Sequence, residues 1–214
     1  MLKSYKKFFK KGHTMSIESA SRCGPGEIAG HSFDEFREMI RQFHGSEAPG
    51  LLIGGFMVAL ALCNVEEGKF YDAICETRSC LPDAVQLLTP CTTGNGWLKI
   101  VPFGKFALTL YDKTDEPHKG VRVYLDAGKL KDWPEIYAWF FKLKPKAEQD
   151  RAKLTEEIRQ AGTSILTVTR VSVKDEFAKK AHKGKTGVCP QCGEAYPLKD
   201  GETCLACQGN MVYV

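Results

Sequence analysis

No apolar run in this chain is long enough to cross a membrane. The longest, Leu51 to Cys63, is 13 residues, against about 20 for a spanning helix. Charge of one sign is also lacking: 30 Lys and Arg stand against 26 Asp and Glu, a net +4. That balance is too mild to argue for nucleic acid or a membrane surface as partner. Lys3, Lys6, Lys7, Lys10 and Lys11 have no apolar run behind them, so the start does not read as a secretory signal. Cysteine, by contrast, is plentiful, with nine in the chain. Without an export signal these thiols point to a reducing cytoplasm and to metal or redox chemistry rather than structural bridges.

A chain of 214 residues suits one medium domain plus a small module, and 43% hydrophobic content supplies a real core. Four segments follow: a basic tail at 1–15, a core domain at 16–172, a basic linker at 173–185 and a cysteine module at 186–214. The tail carries Tyr5, Phe8 and Phe9 among its lysines. It reads as disordered chain, or as sequence ahead of a true start at Met15, with an amphipathic membrane-surface helix as the alternative. Cys23-Gly-Pro-Gly reads as a turn, its cysteine a small core residue.

Ser32-x-x-Glu35 is a capping box opening a helix with the stripe Phe33, Phe36, Ile40 and Phe43. That helix delivers His44 at its end. Pro49-Gly50 opens a second helix, Leu51 to Asn64, apolar on all sides and so expected to run through the core, with Gly54-Gly55 permitting close approach of a neighbouring backbone. Tyr71–Glu76 reads as a strand. Pro82 suits the first turn of a short helix ending at Pro90, on which Asp83 and Gln86 share one face. Trp97–Val101 and Phe106–Tyr111 read as strands joined at Pro102-Phe103-Gly104, with Val121–Leu125 and Ile165–Val173 to follow. Between the last two lie helical patterns at Glu135–Leu143 and Ala147–Gln160. The fold class is α+β: helices packed on an antiparallel or mixed sheet, here read as a meander, plus a small C-terminal zinc ribbon.

The tail carries the sharpest motif. Cys189-Pro-Gln-Cys192-Gly193 and Cys204-Leu-Ala-Cys207-Gln-Gly209 are two knuckles separated by eleven residues. Four thiolates at this spacing close a tetrahedron around zinc, with iron in a rubredoxin-like site as the alternative, and Gly193 and Gly209 let the backbone curl its N–H groups toward sulfur. A module of this size cannot bury enough surface to fold alone; metal binding worth roughly 10–16 kcal/mol supplies the difference. With all four positions filled the site is structural. Lys179, Lys180, Lys183 and Lys185 precede it, but only Tyr196 and Tyr213 offer stacking surface and no nucleic-acid signature appears, so a protein contact is the better reading.

A second candidate site groups His44, Cys80 and Cys91. Cys80 lies near a helix N-terminus, where the dipole favours thiolate. A straight helix puts Cys80 and Cys91 about 12 Å apart, so they share an ion only if the Thr92–Gly96 loop folds back or a second protomer contributes. Cys75 is a nearer partner for Cys80, and packed, inert thiols are the plain alternative. Thr92, Thr93, Gly94 and Gly96, with Lys105, are candidates for an anion-binding loop, although the loop lacks the length and following lysine of a P-loop. Asp83 and Gln86 read as ties to neighbouring backbone. His118 and His182 carry no catalytic spacing.

Cys80-x-x-Asp83-Ala84-x-Gln86, then Cys91-Thr92-x-Gly94-x-Gly96 and Gly104-Lys105-x-Ala107, resemble the signature of the E-subunit family of formylmethanofuran dehydrogenase, whose members often carry a zinc ribbon after this domain. The resemblance implies an accessory role near molybdenum- or tungsten-dependent one-carbon redox enzymes, although no molybdopterin or dinucleotide fingerprint is present. One departure stands out. Where the family pattern reads His-Gly-His-x-Cys-Pro-Gly, this chain has His44-Gly45-Ser46-Glu47-Ala48-Pro49-Gly50, and neither serine nor alanine replaces an imidazole or thiolate for a soft metal. Three readings follow: a non-catalytic zinc protein docking on a redox complex; a small metal- or thiol-dependent enzyme, with a second metal in the core; or a nucleic-acid-binding regulator. The apolar second and aromatic third helices predict a homodimer.

Overall fold

The computed structural model describes residues 26–66, 68–114, 117–179 and 184–213. The basic start, Cys23, Lys180, His182 and Lys183 lie outside the described residues. The chain divides after Ala178 into two compact units.

In the first unit, α1 (Phe33–His44) begins where the Ser32 hydroxyl accepts the Glu35 N–H and Glu35 Oε2 accepts the Ser32 N–H at 2.8 Å. Gly45 ends it in the left-handed region at φ 79°. Phe33, Phe36 and Ile40 turn inward, while Phe43 stays exposed. Eleven of the 16 residues of α2 (Pro49–Asn64) are buried, which makes it the central core helix. It packs on α1, on α3 (Leu81–Leu88), on α5 (Arg151–Ala161) and on the sheet. Its two adjacent glycines admit side chains rather than the backbone expected from sequence. A Cβ on Gly54 would lie 2.8 Å from the Ala84 Cβ, and one on Gly55 would lie 2.2 Å from Phe36.

The sheet holds β1 (Tyr71–Cys75), β2 (Leu98–Ile100), β3 (Ala107–Asp112), β4 (Lys119–Leu125) and β5 (Leu166–Ser172), in the order β2-β1-β3-β4-β5. β1 and β2 are parallel and every other pair is antiparallel, so the sheet is mixed. The meander reading holds from β3 onward and fails before it. Pro102–Gly104 is not a hairpin turn, because α3 carries the chain from β1 to the far edge, where Cys75 O accepts the Val101 N–H at 2.9 Å. β3 then pairs on the opposite side of β1.

Side chains alternate across this sheet. Ala73, Cys75, Leu108, Leu110, Val121 and Val123 face the helices, and Ile74 and Tyr111 join a smaller cluster with Ala178 and Phe177 on the other face. Ala178 belongs to α6 (Asp175–Ala178), so the segment read as a linker opens with a helical turn of the first unit. Lys99 Nζ holds that turn through the carbonyls of Phe177 and Ala178. Glu76 accepts a two-point ion pair from Arg122 at 2.6 and 2.9 Å. α4 (Pro134–Phe140) precedes α5, and Glu157 Oε2 accepts the Glu135 and Ile136 N–H groups at its start, where an anion complements the helix dipole.

Asp112, at the end of β3, predicts an acid limb of stability. Burial pushes its carboxylate up, but the Thr114 hydroxyl and N–H, with Lys69 beside it, outweigh that and hold it at about 2. A folded-state value below the unfolded one stabilises the fold above about pH 4, and that contribution is lost as pH falls toward 2. Thr114→Val is expected to move the acid-unfolding midpoint to higher pH, read by far-UV circular dichroism; an unmoved midpoint contradicts the assignment.

The second unit pairs β6 (Thr186–Val188) with β7 (Ala195–Pro197) in an antiparallel hairpin. Among its described residues only Cys189 and Tyr196 are buried. The Tyr196 hydroxyl reaches the carbonyls of Gly201 and Glu202 at 3.0 and 2.9 Å.

Candidate functional site

The hairpin tip places the first two cysteines. Cys189 follows β6, and Gly193, at φ 78°, turns the chain so that its N–H donates to Cys189 O at 2.9 Å. Cys204 and Cys207 come from the turn that leads into an irregular helical segment, Ala206–Asn210, kinked at Gly209 with φ 96°. The four sulfurs lie within 4.8 Å of one another. A tetrahedron with Zn–S bonds near 2.3 Å has sulfurs about 3.8 Å apart, and Cys192 Sγ and Cys204 Sγ are separated by 3.7 Å. The donors therefore fit zinc, in a site with no position left for water or substrate. The Cys204 N–H lies 3.4 Å from Cys189 Sγ, and with the Cys192 N–H it lowers that thiol to about 6, toward the form a metal requires.

The core candidates are not drawn together in the same way. His44 Nδ1 lies 2.8 Å from Asp83 Oδ2, joining the end of α1 to the first turn of α3. Cys80 caps α3 at φ 51°, and a Cβ on Gly50 would lie 3.0 Å from its Sγ, which explains the glycine at the start of α2. Burial, with Asp83 nearby, pushes the Cys80 thiol up, opposite to the thiolate expected at a helix start. Cys91 sits elsewhere: its Sγ donates to Tyr71 O at 3.2 Å, and burial raises its pKa also. Its neighbour is Cys75, whose thiol is pushed up to about 12 by burial and by Cys91. The nearer partnership expected of Cys75 with Cys80 is thus replaced by Cys75 with Cys91. Among the described residues, the four tail cysteines form the one group of three or more possible metal ligands; a second core metal has no ligand set.

The anion-loop reading also meets a physical obstacle. The N–H groups of Thr92 and Trp97 bond Asn95 Oδ1, that of Asn95 bonds Thr92 Oγ1, and that of Thr93 bonds Gln86 Oε1. Gly96 donates to Thr93 O. The loop spends these donors on itself and on α3, as expected for Gln86, leaving Gly94 without a second donor beside it. Lys105 lies exposed on the approach to β3.

A cleft that no motif marks opens beside Cys80, between the start of α2 and the segment joining α4 to α5, with a volume of about 820 Å³. The sequence signal for it is the run Trp139-Phe-Phe-Lys-Leu-Lys-Pro-Lys146, read only as the end of one helix and the start of another.

Helices on a mixed sheet, followed by a four-thiolate finger, define a two-part zinc-binding protein. A family model described as "FmdE, Molybdenum formylmethanofuran dehydrogenase operon" matches residues 43–174. A second, "FmdE treble clef zinc finger", matches 180–214. The first spans more than half of the 214 residues, and the chain belongs to the FmdE family. Its structure is similar to that of an FmdE-like protein of tungsten formylmethanofuran dehydrogenase from Syntrophus aciditrophicus, at 55% identity and a TM-score of 0.81, covering 89% of this chain and 100% of that one. It is also 32% identical over 191 residues to a probable S-adenosyl-L-methionine-binding protein of Archaeoglobus fulgidus. That match takes in 79% of this chain and 51% of the relative, so the chain spans about half of the relative's length. No helix of the described residues is long and apolar enough to cross a membrane.

Proposed function

We propose that this chain is a non-catalytic zinc protein that docks, in the cytoplasm, on a molybdenum- or tungsten-dependent one-carbon redox enzyme. The observation that carries this reading is the distribution of ligands: among the described residues, the possible metal donors gather only at Cys189, Cys192, Cys204 and Cys207. A closed four-thiolate site offers no open position for chemistry. Ser46 and Ala48 supply no soft donor beside Cys80, and raised thiols at Cys75, Cys80 and Cys91 make poor nucleophiles at neutral pH. The descriptions of the family and of its tungsten-linked relative support the redox partner. We also propose a homodimer. α2 is covered within its own chain, so the apolar surface left for an interface includes Phe141 and Leu143, 42% and 61% exposed.

The test is affinity capture of the tagged chain from its own cells, followed by mass spectrometry and analysis for molybdenum and tungsten. The expected result is co-elution of an oxidoreductase component carrying one of these metals. Elution without such a component, in cells that express it, overturns the docking reading.

A further inference from the structure

We propose that the cleft beside Cys80 binds an organic anion with a flat apolar body, independently of the docking partner. Its volume of about 820 Å³ falls in the range of small-molecule sites. Half-buried Phe106, Trp139 and Phe140 line it, so apolar ring surface faces the opening. Its charge is one-sided. Lys142, Lys144, Lys146 and Arg151 line the same space, against one acid, Glu47. Glu47 is already held by Arg37 and Arg41 at 2.8 and 3.0 Å, so it neutralises none of the four. Lys144 has Glu135 at 3.5 Å. Among the described residues, Lys142, Lys146 and Arg151 have neither an ion pair nor a side-chain hydrogen bond.

Two backbone features add to this. α2 starts at the cleft with Ala48 as its cap residue, which offers no side-chain acceptor, and its first turn carries no acid. The positive end of a buried 16-residue helix is therefore left uncompensated on the protein side. α4 closes with Lys142 at φ 54°, a left-handed position that glycine usually fills. A lysine held there aims a cation at the rim at some cost in strain. Ring surface below and unpaired cations above match a ligand whose planar part stacks on the aromatics while a phosphate, carboxylate or sulfonate meets the rim.

The probe is 8-anilinonaphthalene-1-sulfonate, titrated into the full zinc-loaded chain, with neutral N-phenyl-1-naphthylamine as its uncharged counterpart. The sulfonate dye is expected to bind saturably at one site per chain, more weakly as salt rises, and better than the neutral dye. Displacement by AMP or by 1-naphthoate supports the proposal and distinguishes phosphate from carboxylate occupants. The variant Lys142→Asn/Lys146→Gln/Arg151→Gln alters only exposed side chains and keeps an αL-tolerant residue at 142. It should weaken dye binding about tenfold or more, with an unchanged thermal midpoint. Equal binding of the two dyes, or full-strength binding by this variant, overturns the proposal.

Discussion

Stripping zinc from the full chain with a chelator is expected to melt the C-terminal unit and leave the larger body folded. The reason is the imbalance between order and burial in that unit. Only Cys189 and Tyr196 are buried among its described residues, and its regular pairing is one hairpin of two three-residue strands. Backbone ordering alone costs about 1–2 kcal/mol per residue, which two buried side chains cannot offset. Four thiolates closing on one ion contribute on the order of 10–16 kcal/mol. Hydrogen exchange followed by mass spectrometry should show amides across 186–213 losing protection while β3 and β4 keep theirs. Cys204→Ser should give the same pattern without chelator. Protection that survives in the stripped chain would mean that the protein itself, not the metal, holds this unit together.

The second large effect lies where α1 crosses α2. An added methyl at Gly55 would stand 2.2 Å from Phe36 Cε1, 2.6 Å from its Cζ and 3.0 Å from the Ile28 Cγ2. Phe36 and Ile28 are fully buried, so neither can swing aside. Alanine gains about 1 kcal/mol of helix propensity over glycine, but overpacking costs about 1–3 kcal/mol, and a contact this short sits at the top of that range. Gly55→Ala should therefore destabilise the first unit by about 2 kcal/mol net. Phe36→Ala, which empties the same spot, should cost about 3–5 kcal/mol. The double variant should be less destabilised than the sum, because the new methyl enters the space the ring has left. Urea unfolding of the three variants reads this directly. Strict additivity would show that the two positions are not in contact.

Local patterns in the sequence carried far in this protein and long-range ones did not. Ser32-x-x-Glu35 and the apolar run after Pro49 specify helices through neighbours three or four residues away, and both helices form there. The two C-x-x-C knuckles are as local, so their chemistry was legible before any fold. Strand order is a different kind of fact. β2 and β3 are separated only by a short turn-like segment, yet β2 pairs with β1. The decision rests on α3 packing against α2, where Gly54 accepts Ala84. The core site was misgrouped for a related reason. Cys91 leaves α3 on a chain path that ends at Tyr71 O, while Asp83 at the other end of the same helix meets His44, 39 positions away. Spacing along a helix states how far apart two residues lie, not which neighbour each will meet. The cationic cleft shows the same limit, since it joins the start of α2 to a segment some 90 residues later.

Metal stoichiometry tests the reading of this chain as a closed zinc protein most directly. Elemental analysis of the purified full chain should find one tightly held zinc, retained in Cys80→Ser and lost in Cys204→Ser. A second ion per chain, or zinc that departs when Cys80 is replaced, would place reactive metal in the core and contradict a purely structural role.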